Sequence, residues 1–297
     1  MKIIALIVTH NRLPLLQEAI AALQKQTRPV EILVVNNGST DQTAQWLSTQ
    51  PVQVITQHNE GASGGFFTGI NQAYLQDADW IWAMDDDTIP SPNAVEKLLN
   101  VAEKCQQTST QVGFLVSQAN WIDGNSHLMN IPDFKTTSLS SLLPLSEMNI
   151  REVQSASFVS LLIAKQAVAT CGLPIREFFI WADDTEYTTR ITRAGLAGIY
   201  VPESIVLHKT TFNYSADLYD AKPSEAIKHF YGIRNKLYCR RKWKGEFSFW
   251  RNILKHLFIF PIRIIRKRRD YRWQFIVINW RATLAALFFN PTIQMPA

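Results

Sequence analysis

The stretch Trp80-Ile81-Trp82-Ala83-Met84-Asp85-Asp86-Asp87 sets five apolar residues directly before three consecutive aspartates. A short apolar run bounded by turn-forming residues reads as a strand buried on both faces. Three similar runs lie upstream, Ile3–Val8, Glu31–Asn36 and Val52–Thr56, and helical patterns follow the four runs at about 12–26, 41–49, 62–76 and 92–105. This alternation predicts βαβ units: an α/β, Rossmann-like chain with a mostly parallel central sheet. Such sheets bind ligands at the carboxyl ends of their strands. Polar groups follow every run: Thr9-His10-Asn11-Arg12, Asn36-Asn37-Gly38-Ser39-Thr40-Asp41, His58-Asn59-Glu60-Gly61, and the aspartates.

Further along, residues 118–150 read as irregular loops rich in Ser, Asn and Pro, Ala156–Ala164 as another strand, and about 184–194 as a helix. From Pro223 the pattern is helical with basic faces, which gives two expected regions, 1–212 and 213–297. The composition, 46% hydrophobic and 19% charged over 297 residues, supports a large buried core and excludes disorder. Three cysteines without metal-ligand spacing exclude a disulfide-stapled scaffold and point to a reducing, cytoplasmic setting. The net charge of +5 is unevenly spread. Residues 228–281 hold 16 of the 30 basic residues and two of the 25 acids, a net of +14 against −9 elsewhere. The apolar run Ile3–Val8 is too short for a signal segment, and the apolar stretches near the C-terminus are broken by charge.

Three aspartates at a strand end have a chemical reading and a bland one. In an extended segment Asp85 and Asp87 point to one side, where their repulsion favours a divalent cation shared with phosphate oxygens. The bland alternative is a turn. Glycines in Asn59-Glu60-Gly61-Ala62-Ser63-Gly64-Gly65 before a helix allow close backbone approach to a phosphate, or merely tight helix-to-sheet packing. Asp183-Asp184-Thr185-Glu186, behind Phe178-Phe179-Ile180-Trp181, is either a capping cluster or a general base beside an aromatic sugar platform. His208 ends an apolar run, where it is a structural residue or, beside an aspartate site, a metal ligand.

Taken in order, Val8-Thr9-His10-Asn11-Arg12, Val34 to Asp41, Asn59 to Gly69, Asp85-Asp86-Asp87, Trp181 to Tyr187, His208 and Tyr231-Gly232-Ile233-Arg234-Asn235 resemble the GT-A glycosyltransferases of family 2. The likeness covers about residues 1 to 240 and is nearest the galactofuranosyltransferase branch, with rhamnosyltransferases next. It implies an inverting transfer from a nucleotide-sugar donor onto a glycan or lipid-linked glycan, with Mn²⁺ or Mg²⁺ as cofactor. UDP-galactofuranose is the favoured donor and dTDP-rhamnose the second. By the same likeness Asp85, Asp87 and His208 hold the metal and Asp184 is the base. Thr9, Arg12, Asn36, Asn37, Asn59, Gly64, Gly65, Asp85 and Asp86 line the donor site, and Trp181, Asp183 and Glu186 meet the acceptor. Asn36 stands where many members have an aspartate that contacts uracil; an amide can still hydrogen-bond a pyrimidine edge. The rival reading of another class is a non-catalytic sugar- or nucleotide-binding module.

The stretch 253–269 interleaves Ile253, Leu254, Leu257, Phe258, Phe260, Ile262, Ile264 and Ile265 with Lys255, His256, Arg263 and Arg266-Lys267-Arg268-Arg269. That pattern suits a helix lying in an anionic membrane interface, or one packed on the core with a solvated basic end. The expectation is an enzyme peripheral to the inner face of the plasma membrane, with no nucleic-acid partner, since the basic block lacks a recognised binding motif.

Overall fold

The computed structural model describes residues 1–108, 110–136, 147–213 and 217–296. β1 (Ile3–Thr9), α1 (Leu13–Gln24), β2 (Glu31–Asn37), α2 (Thr43–Leu47), β3 (Gln53–Gln57), α3 (Gly61–Leu75) and β4 (Trp80–Asp85) follow the alternation expected from the periodicity. β1 is buried along its whole length, because parallel partners β2 and β4 flank it and helices cover it. The register sets Thr9 opposite Asn36 and Val8 opposite Asp85, so three strands deliver their polar ends to one edge.

A turn at Asp86-Asp87 leads to the short β5 (Thr88–Pro90), followed by α4 (Ala94–Gln107), β6 (Val112–Asn120), β7 (Asp133–Phe134), β8 (Arg151–Ser155), β9 (Leu161–Ala164), α5 (Lys165–Cys171), α6 (Asp183–Arg193) and β10 (Ala197–His208). The sheet runs β3-β2-β1-β4-β9-β6-β10-β8-β7, with β5 on β10. β1, β2, β3 and β4 are parallel, as are β6 and β10; β9 is antiparallel to both its neighbours. Two expectations are corrected here. The region from 118 begins inside a strand, because β6 is clamped between β9 and β10. The run Ala156–Ala164 is a strand only over Leu161–Ala164, since Ser160 turns the chain in the left-handed region (φ +57°). Residues 137–146 of the expected loop lie outside the described residues.

Ser160 has a second use. Its Oγ accepts from Trp82 Nε1 at 2.9 Å and lies 2.6 Å from Ser117 Oγ, which is 2.7 Å from Ser204 Oγ. The chain ends where Ser204 Oγ donates to the Ala94 carbonyl. Buried hydroxyls satisfied in series join β4, β6, β10 and α4 without an unpaired polar group among them.

By contact clustering the chain forms two units. The larger, Met1–Arg176, Asp184–Tyr214 and Ile293–Ala297, holds the sheet. The smaller, Glu177–Asp183 and Ser215–Thr292, is helical: α7 (Ala226–Leu254), broken at Gly245 where φ is +76°, a π-helical turn at Lys255–Ile259, α8 (Phe260–Lys267) and α9 (Arg272–Phe288). Within it Ile264, Phe275 and Ile276 form one core and Leu237, Phe249, Ile253 and Ala286 another. His256 is tied to Asn279 by two hydrogen bonds. The outer side stays apolar: Phe247, Trp250, Leu254, Phe258, Ile262 and Ile265 are exposed at intervals of three or four residues. Among the basic run Arg266–Arg269, Arg268 departs from expectation. It is buried, donates to the carbonyls of Leu218 and Ala221 and to Asp270, and lies 3.6 Å over Phe275. Among the described residues no helix is long and apolar enough to cross a membrane.

α3 reaches β1 so closely that glycine is required at the contact. A Cβ on Gly69 would lie 2.2 Å from Leu6 Cδ1, and Leu6 is fully buried with nowhere to move. Gly69→Ala should therefore destabilise the larger unit by about 1–3 kcal/mol, despite alanine's better helix propensity, as read by urea denaturation.

Candidate active site

Asp85 ends β4, and Asp86 and Asp87 occupy the turn to β5, so the extended arrangement expected for them is not the one adopted. Pairing between strands creates the cluster instead. β5 runs antiparallel to β10 with Thr88 opposite His208, and the Lys209 amide donates to the Asp87 carbonyl at 2.9 Å. Asp87 and His208 are thereby neighbours although far apart in sequence. His208 Nε2 lies 3.1 Å from Asp87 Oδ1, and one potential ligand atom each from Asp85, Asp87 and His208 fall within 4.8 Å of one another.

Holding three carboxylates together out of water is unfavourable unless positive charge is supplied. Thr9 Oγ1 donates to Asp86 Oδ2 at 2.8 Å, and Arg12 Nη1 reaches Asp86 Oδ1 at 3.3 Å and Asp87 Oδ2 at 2.6 Å. The electrostatics divide accordingly. Burial, and then the charge of Asp87, push Asp85 up to about 7. Burial pushes Asp86 up to about 6, against the opposing charge of Arg12. Burial would raise Asp87 too, but His208 and Arg12 outweigh it and hold it below the usual carboxylate range. His208 is lowered by burial but raised more by Asp87 and Asp85, so it lies above an ordinary imidazole. The carboxylates of Asp85 and Asp87 and the imidazole of His208, with one ligand atom each within 4.8 Å of the others, form a donor set that fits a divalent cation of the Mn²⁺ or Mg²⁺ kind.

A second cluster lies at the ends of β2 and β3. Asn36 Oδ1 accepts from the Ser39 amide, while its Nδ2 is buried without a hydrogen-bond partner. Asn37 is engaged on both sides: Oδ1 accepts from Gln57 and the Glu60 amide, and Nδ2 donates to the Gly61 carbonyl and Asn59 Oδ1. His10, to which no role was given from sequence, spans the cluster, with Nδ1 3.0 Å from the Asn37 carbonyl and Nε2 3.3 Å from Asn59 Nδ2.

Several of the expected site residues have partners within the fold. Asn37 builds the β2-to-α3 connection, with its amide consumed inside the fold. Gly64 and Gly65 are buried and explained by packing: a Cβ on Gly65 would lie 2.4 Å from Val8 Cγ1, and one on Gly64 2.5 Å from Glu60 Cβ. Glu186, expected to meet an acceptor, is buried and grips Arg190 at 3.1 and 2.8 Å, and Arg190 also donates to the carbonyls of Cys171 and Leu173.

Asp183 and Asp184 open α6, where the helix dipole favours carboxylates. Asp183 is buried; Asp184 is half-buried, and its Oδ1 accepts from the Thr185 amide at 2.6 Å. Trp181 belongs to the smaller unit, where it is half-buried against Gly232, whose absent side chain makes room for its ring, and edge-on to His229. Phe179, Trp181 and Ala182 all adopt φ near +65°, which costs about 1–3 kcal/mol each for such residues. Asn235 Nδ2 holds this loop through the carbonyls of Phe178, Ile180 and Trp181, which accounts for the Tyr231–Asn235 motif.

A mixed, mostly parallel sheet with an aspartate and histidine cluster at its carboxyl edge defines a GT-A-type glycosyltransferase. Residues 4–151, just under half of the chain, match the family model "Glycosyl transferase family 2", and the chain is a glycosyltransferase. It is 27% identical over 256 residues to galactofuranosyltransferase GlfT1 of Mycolicibacterium smegmatis, covering 79% of this chain and 81% of that one. It is 26% identical over 240 residues to the N-acetylglucosaminyl-diphospho-decaprenol L-rhamnosyltransferase of Mycobacterium tuberculosis, covering 71% and 76%. Among solved structures it resembles GalNAc-T7 with UDP, GalNAc and Mn²⁺, with a TM-score of 0.61 at 14% identity. That likeness covers 86% of this chain but only 50% of the other, and it concerns the fold.

The role of Glu186 has a direct check. Glu186→Ala removes the carboxylate partner of the part-buried Arg190, which keeps only its two backbone carbonyls, so the protein should lose about 1–3 kcal/mol, read by thermal or urea denaturation.

Proposed function

We propose that the protein is an inverting, metal-dependent glycosyltransferase that moves a sugar from a nucleotide donor to a hydroxyl of a lipid-linked or cell-surface glycan. The observation carrying this reading is the group Asp85, Asp87 and His208, brought within reach of one ion beside Arg12 and Thr9 at the sheet edge. Those three residues would hold Mn²⁺ or Mg²⁺, which supplies neutralisation of the leaving diphosphate. Asn36 supports a pyrimidine nucleotide, since its buried Nδ2 is a donor in want of an acceptor such as a ring carbonyl. Thr9 and Arg12 set the position and charge of the aspartates from the nucleoside side. Asp184 takes the proton of the attacking hydroxyl, and attack opposite the leaving group inverts the anomeric centre. Trp181 and Asp183 serve the acceptor. The similarity to galactofuranosyl- and rhamnosyltransferases favours UDP-galactofuranose as donor, with dTDP-rhamnose second.

A panel of nucleotide-sugars with the purified protein tests this directly. Transfer or donor hydrolysis should appear with one of those two donors, vanish in excess chelator, and return with Mn²⁺ or Mg²⁺. Asp184→Asn should lower transfer about 10²- to 10⁴-fold with nucleotide affinity unchanged. Full turnover in chelator would refute the metal role, and near-normal turnover in Asp184→Asn would refute the base. A folded protein that binds donor without turnover would instead be a binding module.

The helical unit supports attachment to an anionic membrane surface at the cytoplasmic face. Exposed Trp250, Leu254, Phe258, Ile262 and Ile265 can enter the interface, while exposed Arg251, Arg263, Arg266, Lys267 and Arg269 meet anionic headgroups. Each basic residue near such a surface is worth about 1 kcal/mol. Co-sedimentation with phosphatidylserine vesicles should fall with salt and with neutralisation of Arg263, Arg266, Lys267 and Arg269. Equal binding to neutral and anionic vesicles would refute the electrostatic part.

A further inference from the structure

The segment after β6 carries two residues to which no role has been given, and both reach His208. Asn130 Oδ1 lies 2.7 Å from His208 Nδ1, and Asn130 Nδ2 donates to Ser157 Oγ at 2.9 Å. In this arrangement the amide nitrogen faces Ser157, and its oxygen, which can only accept, meets the imidazole. An acceptor in that position requires a proton on Nδ1. In the neutral ring the lone pair is then on Nε2, the atom that lies on the Asp87 side.

His127 closes the other flank. It is fully buried, with its ring centroid 4.4 Å from that of His208. Its Nδ1 accepts from the Met129 amide, so its own proton sits on Nε2, which donates to Thr210 Oγ1 at 2.7 Å. The segment itself is pinned at several points. Asn120 bridges to Ser126, Trp121 Nε1 donates to the Thr210 carbonyl, and the Leu128 amide donates to Asn213 Oδ1. The amide that faces His208 is therefore carried on a chain that is held in place.

We infer that Asn130 is a positioning residue of the metal centre, holding His208 in the ring orientation and tautomer that offer Nε2, together with Asp85 and Asp87, to a divalent cation. This rests on the metal reading of that group. A histidine ligand needs its second nitrogen anchored, since a ring free to rotate or to carry its proton on the wrong nitrogen binds only part of the time. Loss of such an anchor typically costs about 10- to 100-fold in metal affinity.

The test is Mn²⁺ binding to the full chain, alone and with UDP or dTDP, followed by electron paramagnetic resonance. Asn130→Leu keeps the shape and removes the acceptor, and should weaken Mn²⁺ by about 10- to 100-fold while the melting temperature stays close to wild type. Asn130→Asp keeps an acceptor at the same place and should retain affinity within a few-fold. Selective ¹⁵N labelling of the six histidines in the Mg²⁺- and nucleotide-bound protein adds a spectroscopic signature. His208 should carry its proton on Nδ1 in the wild type and in Asn130→Asp, and lose that preference in Asn130→Leu. Wild-type affinity in Asn130→Leu, or an equal loss in Asn130→Asp, would overturn the inference while leaving the metal reading intact. No Mn²⁺ binding by the wild type would overturn the metal reading and this inference with it.

Discussion

Three consecutive carboxylates held out of water are the constraint around which the larger unit is arranged. Left alone, such a turn would unfold or take up protons, because neither desolvation nor mutual repulsion is offset locally. The offset comes from two separate parts of the chain: Thr9 at the end of β1 with Arg12 just beyond it, and His208 at the end of β10. Each is delivered by strand register. β1 lies beside β4, and β10 curls against β5, so the sheet topology and the charge balance are one arrangement. Even so the compensation is incomplete. Asp85 and Asp86 remain above their normal ionisation range, so further positive charge beside them would favour their charged forms.

The polar machinery rests on a rigid apolar frame. Close approach of α3 to β1, made possible by Gly65 and Gly69, fixes the strand that carries Thr9. The buried serine chain from Trp82 to Ala94 ties the strands of Asp85 and His208 to one another. Left-handed backbone is densest in the loop before α6. Phe179, Trp181 and Ala182 sit in left-handed backbone before α6, and Asn235 holds their loop by its carbonyls. A loop shaped at such cost just ahead of Asp183 and Asp184 is the sort of feature found at functional sites.

Several residues that belong to recognisable motifs turn out to serve the scaffold. Asn37 spends its amide on a connection, Gly64 and Gly65 on packing, and Glu186 on Arg190. Arg268 shows the same effect in the helical unit, where one member of a run of four basic residues is the buried clamp of a turn. Motif position alone does not separate these from their neighbours. Residue type and spacing are the same whether a side chain faces a ligand or its own backbone, and only the partner decides.

What the sequence determined by itself was the alternation of the first four strands with their helices, the delivery of polar groups to one sheet edge, and the class of enzyme. These are legible because a parallel strand buried on both faces is a short apolar run, and the turn chemistry that follows it is local. β6 and the break at Ser160 were not legible, since both depend on which strands lie alongside. The meeting of Asp87 with His208 was beyond local reading for the same reason, because β5 is only three residues long and finds its place by pairing with β10. Asn130 was the least visible of all. A lone asparagine in an irregular segment has no periodicity to mark it, and its role exists only because the tertiary fold sets its carbonyl oxygen 2.7 Å from an imidazole nitrogen.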